Sequence, residues 1–347
     1  MKKNQNRRIV TLLLIGLIGC YGLGQTAEVF SVGFYNLENL FDPQDDPTTF
    51  DEDYTPMGRK QWTEGILKQK IDHLAKAIHQ IGFRESQRPP LLLGVAEVEN
   101  FRVLKMLTQH ELLYPYGYEI LHFDSPDARG IDLAMLYQKD FFLVAESKTY
   151  SLPLFDGKTN QKRTTRDQLV VSGWMEEEEL HLLINHWPSR RGGQKRSESN
   201  RISAARLQQK IIDSLQGLNA NAKIIVMGDF NDNPDDQSLR LLTEKKENSY
   251  LKNFQPLFNP MRILHKKGVG SLAYRDRWFL FDQILISHSL MPTKGIFFIE
   301  AKVFSPDFLK NKKGKYKGYP FRSEIHGDQL EGYSDHFPIY GVMGKTK

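Results

Sequence analysis

The stretch KIIVMGDFNDNP, residues 223–234, breaks off a strand-length apolar run in acids and amides, and the same device recurs along the chain. VFSVGFYN alternates, with Phe30, Val32 and Phe34 on one face and Asn36 following in phase. LLLGVAE is a continuous apolar run, as in a strand covered on both faces, and it stops at Glu97. LHLLINH sets Leu180, Leu182 and Ile184 in phase with His186, and KIIVMGDFN does the same for Asp229 and Asn231. WFLFDQILIS carries Asp282 in mid-run, a costly place for a carboxylate without a partner. YSDHFPIYG opens a final strand with Asp335 and His336.

Helical periodicity falls between these segments. Leu67, Ile71, Leu74 and Ile78 form one apolar stripe, and Ala204, Leu207, Ile211 and Leu218 another. Strands alternating with helices predict an α/β layered fold, and the period-2 strands predict mixed, partly antiparallel sheets. Neither G-x-G-x-x-G nor G-x-x-x-x-G-K-[ST] occurs, which argues against the nucleotide-binding folds. No linker, repeat or low-complexity tract interrupts the chain after Glu28, so residues 28–345 are expected to form a single domain.

The first 24 residues stand apart. Lys2, Lys3, Arg7 and Arg8 precede an apolar stretch from Ile9 to Ile18, too short to span a bilayer and built like a secretory signal peptide. The formal net charge of +5 falls to +1 without those four basic groups, so the high isoelectric point says little about nucleic acid. Cys20, the single cysteine, excludes an intramolecular disulfide. LIGC ending at Cys20 has the form of a lipobox, whereas Gly22 to Gly24 suit ordinary signal cleavage. Secretion or a periplasmic location, and a lipoprotein anchored through Cys20, both stay open. No obligate protein partner is evident.

If the polar strand ends share one rim, they gather Asn36, Glu97, His186, Asp229, Asn231, Asp282, Asp335 and His336. Carboxylates and amides without thiolates suit a hard cation, Mg²⁺ or Mn²⁺. Such an ion polarises phosphoryl oxygens, and the two histidines supply proton transfer near neutral pH. The combination is equipment for hydrolysing a phosphate ester.

The ordered motifs FYNLENLFD, GVAEVEN, RGIDLAMLY, INHWPSR, MGDFNDNP, FDQILIS and YSDHFPI resemble the endonuclease/exonuclease/phosphatase superfamily over nearly the whole chain after the leader. That resemblance implies a deoxyribonuclease-I-like four-layer α/β sandwich, two packed mixed β-sheets flanked by helices. It implies Glu97 as the principal metal carboxylate with Asn36 and Asp335 completing the site. Asp229 and Asn231 would position water and phosphate. His336, held by Asp282, would contact the phosphate, and His186 would stand on the leaving-group side. The general base stays open between Asp229 and the His336–Asp282 pair. Deoxyribonuclease-like members pair the first histidine with an acid on an earlier strand. Here SPDARGID offers Asp127, Arg129 and Asp132, and Arg129 is preferred as a phosphate contact.

The charged segments have two readings each. Arg190 and Arg191 follow directly on His186 and can grip phosphate oxygens bidentately or belong to a solvated loop. KNKKGKYKGYPFR interleaves lysines with Tyr316, Tyr319 and Phe321, a pattern that holds single-stranded nucleic acid but also suits a surface loop. DDPTTFDED reads as a solvated acidic loop, and Asp232 or Asp235 as a turn former or cap before QSLRLL. Glu38 and Glu99 read as supports for stronger neighbours, and His73, His79, His110 and His122 as ordinary packing or surface residues. The function expected is a secreted Mg²⁺-dependent nuclease with nucleic acid as substrate. The alternatives are a phosphatase of a small or lipid phosphoester and a catalytically silent surface protein.

Overall fold

The computed structural model describes residues 27–155, 161–245, 250–292 and 294–346; the leader and Cys20 lie outside them. The alternating run Glu28–Leu40 forms β1, and its apolar row Phe30, Val32 and Phe34 is buried. Next along the chain come α1 (Glu64–Gln80), α2 (Phe83–Ser86), β2 (Leu92–Val98) and α3 (Phe101–Thr108). They are followed by β3 (Tyr118–His122), β4 (Asp132–Gln138), β5 (Leu143–Tyr150) and the small pair β6 (Leu154–Phe155) and β7 (Lys162–Arg163). The middle of the chain gives β8 (Gln168–Met175), β9 (Glu178–His186), α4 (Gln194–Leu218), β10 (Lys223–Asp229), α5 (Gln237–Thr243) and α6 (Met261–Lys266). The last third holds the hairpin β11 (Leu272–Tyr274) and β12 (Arg277–Phe279), then β13 (Asp282–Ile286) and β14 (Ile296–Val303). A second hairpin, β15 (Glu324–His326) and β16 (Gln329–Glu331), precedes β17 (Ile339–Lys345).

Two mixed sheets result, one in the order β14-β17-β1-β2-β4-β3 and the other β13-β10-β9-β8-β5. Each contains a parallel pair, β1 with β2 and β9 with β10, flanked by antiparallel neighbours. One apolar layer lies between the sheets and joins Phe30, Val32 and Phe34 of β1 to Leu182 and Ile184 of β9 and Ile225 and Met227 of β10. A second covers the outer face of the first sheet with Leu67, Ile71, Leu74 and Ile78 of α1, and a third covers the other sheet with Ala204, Ala205, Ile211 and Ile212 of α4. Helix, sheet, sheet, helix is a four-layer α/β sandwich. Among the described residues no helix is long and apolar enough to cross a membrane.

Two local expectations change. Leu218, placed on the buried stripe of α4, is 86 % exposed because the helix ends there; Ala205, Gln208 and Ile212 fill the stripe instead. The cap of α5 falls at Asp236, not at Asp232 or Asp235, since Asp232 is drawn inward by Arg201 and Ser238.

Candidate active site

The inner apolar layer explains where the site lies. Side chains alternate along a strand, so each row that fills the space between the sheets keeps its direction to the strand end. The row Phe30-Val32-Phe34 delivers Asn36, Leu182-Ile184 delivers His186, and Ile225-Met227 delivers Asp229. Asp229 is in register with His186 on one side and Asp282 on the other, so three polar side chains meet across three adjacent strands. Gly228 makes this approach possible: its φ is +155°, and a Cβ there would collide with the backbone carbonyl of Asn185.

Glu97 reaches the rim by another device. The β1–β2 register shifts between Asn36 and Leu40, and the β2–β4 register shifts between Ala96 and Val98. Glu38, Asn39 and Glu97 all sit in the left-handed region, at φ 51°, 58° and 61°. Adjacent bulges re-aim side chains at a sheet rim, and the Asn39 N–H donates to Glu97 Oε2 at 3.1 Å, fixing the carboxylate.

Around Asp229 the geometry is close. Its Oδ1 accepts the Asn231 N–H at 2.9 Å, and its Oδ2 accepts Asn36 Nδ2 at 3.3 Å. That same Oδ2 lies 3.6 Å from His186 Nε2 and 4.0 Å from His336 Nε2, while His186 Nε2 is 3.9 Å from Glu97 Oε1. His336 Nδ1 and Asp282 Oδ2 are 2.6 Å apart, so Asp282 gains its partner from the loop before β17. Asp335 and His336 precede that strand, which starts at Ile339, instead of opening it. Asn231 likewise lies beyond β10, with φ at 52°, and its side chain turns back to donate to the Trp187 carbonyl.

The cluster sorts protons. Burial raises the Asp229 carboxyl well above the ordinary carboxylate range, with Asp282 and Glu97 adding to it and His336 opposing. Burial lowers the His336 imidazole, but the charges of Asp282, Asp229 and Asp335 outweigh it and hold the group well above its usual range. His186 goes the other way: burial, then the positive charges of Arg166, Arg129 and His336, keep it neutral. Two imidazoles within 4.0 Å of one carboxylate oxygen are thus in opposite charge states, which separates acid from base.

Arg190, expected among the substrate contacts, lines a cavity that borders Asp335 and is also tied to the turn after β10. Its Nε donates to the Asn231 carbonyl at 2.8 Å and its Nη2 to Asp232 and Asp236 at 2.9 and 2.6 Å. It braces the turn that carries Asn231, and Arg201 of α4 supports the same turn from below, its Nε 2.8 Å from Asp232 Oδ1. No acid pairs with His186 from the SPDARGID segment. Asp127 is bound by Arg166 and Arg129, and Asp132 by Ser125 and by His122, 3.1 Å away. His122 is therefore tied to a carboxylate and is not an idle surface group. Arg129 and Arg191 line a cavity beside His186.

Four supports carry no sequence signal. Ser334 Oγ donates to the Asn36 carbonyl and accepts the His336 N–H, and Arg322 Nη2 donates to Glu38 Oε1 and stands 4.0 Å from Asp335. Arg166 donates from Nη1 to Asp127 and from Nη2 to the Trp187 carbonyl, each at 2.9 Å. Lys70, within α1 and fully buried, donates to the Tyr333 carbonyl at 2.7 Å and to Ser323 Oγ, clamping the segment that ends in Asp335 and His336. Burial lowers the Lys70 ammonium and raises the Glu38 carboxyl beside it. Lys70→Ala removes one of the two donors to that carbonyl, the other being Ser323 Oγ at 3.1 Å, and leaves Glu38 short of a cation; it is expected to cost about 3 kcal/mol, measured by urea unfolding.

The donor set fits a hard cation. Glu97, Asn36 and Asp335 supply oxygens without a thiolate, and ligand atoms of Asp229, Asp282 and His336 lie within 4.8 Å of one another. Buried His186 Nδ1 and Asp282 Oδ1 have no partner among the described residues, so the cluster is not saturated by its own hydrogen bonds.

A sandwich with imidazoles, carboxylates and amides converging at one rim defines a phosphate-ester hydrolase. The chain belongs to the Endonuclease/Exonuclease/phosphatase family, whose profile matches residues 31–345, and that family is metal-dependent. No curated protein matches it. Among solved structures it is similar to an endonuclease/exonuclease/phosphatase family protein from Bacteroides thetaiotaomicron, at 14 % identity and TM-score 0.54, over 92 % of this chain and 99 % of that one. It is also similar to the mannosyl-6-phosphatase of Bacteroides thetaiotaomicron, at 15 % identity and TM-score 0.52, over 90 % and 99 %. A third similar structure is D. rerio TDP2 complexed with single strand DNA product, at 12 % identity and TM-score 0.52, over 91 % and 98 %.

Proposed function

We propose that this chain is a Mg²⁺- or Mn²⁺-dependent phosphodiesterase that cleaves nucleic acid, acting after export. The observation that carries the reading is a cavity of about 910 Å³ bordering Asp335, with Tyr274, Tyr316 and Tyr319 beside Arg275, Lys315 and Arg322. Tyr274 and Tyr316 are more than half exposed, and the Arg190 guanidinium lies 4.5 Å above the Phe281 ring. Exposed aromatic planes stack bases, and the interleaved cations track a phosphate backbone. The lysine-rich segment 310–321 and the β11–β12 hairpin thus form two walls of one groove leading to the reacting centre.

In this reading Glu97, Asn36 and Asp335 hold the metal, which when bound polarises the phosphoryl oxygen and eases ionisation of water. Asp229, seated between two imidazoles, orients and deprotonates the attacking water. Asn231 contacts the scissile phosphate, His336 donates to it, and His186 faces the leaving oxygen. Export follows from Lys2, Lys3, Arg7, Arg8 and the apolar stretch after them, with release or anchoring through Cys20 as the two outcomes of cell fractionation.

Hydrolysis of a small phosphoester is the second reading, favoured by the net charge of only +1 outside the first 24 residues. The purified protein should be assayed on single-stranded oligothymidylate, supercoiled plasmid and mannose 6-phosphate, with Mg²⁺, Mn²⁺ or EDTA. Metal-dependent cleavage of the oligonucleotide or plasmid is expected. Turnover of the sugar phosphate alone would select the second reading, and no turnover on any of them would overturn the enzyme assignment for these substrates.

A further inference from the structure

Close after His186 in the chain, the loop at 127–129, the segment 163–166 and the turn entering α4 enclose a cavity of about 650 Å³. Among the described residues five guanidiniums line it, those of Arg129, Arg163, Arg166, Arg191 and Arg196, against the single carboxylate of Asp127. No lysine is among the described lining residues, and planar guanidinium forks match phosphate oxygens bidentately.

Asp127 does not neutralise this cavity. Its oxygens are taken by Arg166 Nη1 at 2.9 Å and Arg129 Nε at 3.2 Å. Burial pushes its carboxyl up, but those two guanidiniums outweigh it and hold it below the ordinary range. Among the described residues Arg163, Arg191 and Arg196 have no ion pair. Arg166 is a fixed part of the wall. Its side chain is only 6 % exposed, Nη2 is fixed by the Trp187 carbonyl at 2.9 Å, and the buried Nε has no partner among the described residues. Held by these two acceptors, the Arg166 guanidinium is a fixed positive charge in the cavity wall, and the free guanidiniums of Arg163, Arg191 and Arg196 are the ones placed to contact an anion.

We infer that this cavity is a second phosphate site, so that the preferred substrate carries one phosphate at the catalytic cluster and a further phosphate here. The spacing allows it. Ser189, in the cavity wall, is three residues from His186, at most about 11 Å along the chain. The inference rests on the phosphoesterase reading of the cluster and deepens it. A monophosphate would leave Arg163, Arg191 and Arg196 in this cavity with no anion to pair with, since Asp127 is taken by Arg129 and Arg166. The second phosphate has two sources, the neighbouring linkage of a nucleic-acid strand or the other phosphate of a bisphosphorylated small molecule.

Two measurements on the full chain test it. In the first, inorganic pyrophosphate is titrated calorimetrically into metal-free protein. The wild type should bind it, Asp229→Asn should bind it equally, and Arg163→Ser/Arg196→Ser should weaken binding at least tenfold. In the second, the Mg²⁺-loaded wild type hydrolyses thymidine p-nitrophenyl phosphodiesters, 5′- or 3′-linked, with and without a phosphate on the other hydroxyl. Fructose 6-phosphate and fructose 1,6-bisphosphate form the small-molecule arm. The added phosphate should raise kcat/KM at least tenfold in one arm, and the double variant should erase that ratio. A ratio confined to the nucleotide arm identifies a strand, and one confined to the sugar arm a bisphosphate. Ratios near one in every pair, a ratio that survives in the double variant, or pyrophosphate binding unaltered by it would overturn the inference. If no ester is hydrolysed, the phosphoesterase reading has failed, and the titration alone still decides whether the cavity takes phosphate. Circular dichroism of the variants checks that both exposed substitutions leave the fold intact.

Discussion

Asp229→Asn is expected to lower kcat/KM on any substrate by about 10³- to 10⁴-fold while leaving the protein at least as stable as the wild type. The substitution is isosteric, so Oδ1 can still accept the Asn231 N–H at 2.9 Å. The other end becomes an NH₂ aimed at Asn36 Nδ2, which now donates to Asp229 Oδ2 across 3.3 Å, and at two imidazole edges. The site loses its proton acceptor and the negative charge between Glu97 and His336. Stability moves the other way because the folded state raises the Asp229 carboxyl, chiefly by burial. An acid raised on folding penalises the folded state increasingly as pH climbs above the unfolded value of about 4, and Asn removes that penalty. Melting in EDTA at pH 8 should therefore show a Tm for the variant no lower than the wild type's. A clear fall in Tm would mean that the lost activity reports misfolding and not chemistry.

Asp282→Asn should cost about 10²- to 10⁴-fold in kcat and change the pH profile in a definite direction. Asp282 Oδ2 faces His336 Nδ1 at 2.6 Å, and its own N–H is held by Ser271 Oγ at 3.2 Å, so the side chain has no freedom to seek another partner. Against burial, which lowers it, the Asp282 charge is the largest influence raising the His336 imidazole. Without that charge the imidazolium loses its proton at lower pH, so the alkaline limb of the rate profile moves toward acid. A drop in rate with an unmoved limb would show that Asp282 supports the loop before β17 and does not tune His336.

Much of the site is legible in the sequence because period-2 rows continue straight to the rim. Phe30, Val32 and Phe34 point between the sheets, and Asn36 follows them there; the same holds for Ile225, Met227 and Asp229. The rule fails where the backbone leaves the strand. Asn231 shares the phase of Asp229 on paper but sits at φ 52° in the turn, and Glu97 reaches the rim only through a bulge. Arg190 follows His186 closely enough to suggest a phosphate grip, but its ties to Asp232 and Asp236 are not visible in that spacing. Arg166 and Lys70 look like ordinary charges in a loop and on a helix, and nothing within a dozen residues marks them as buried.

By itself the amino-acid sequence determined the alternation of strands and helices, the apolar rows, and the polar residue that ends each row, since these follow from side-chain periodicity over a few neighbours. Only the tertiary structure decided which of those ends meet and which charges are free. His336 is bound to Asp282 across 54 residues, Lys70 to Tyr333 across 263, and Arg166 to Asp127 across 39. Pairings over such separations depend on how the two sheets pack. The charge states of His186 and His336 depend in turn on those pairings, because burial and neighbouring charge, not residue type, fix where each proton resides.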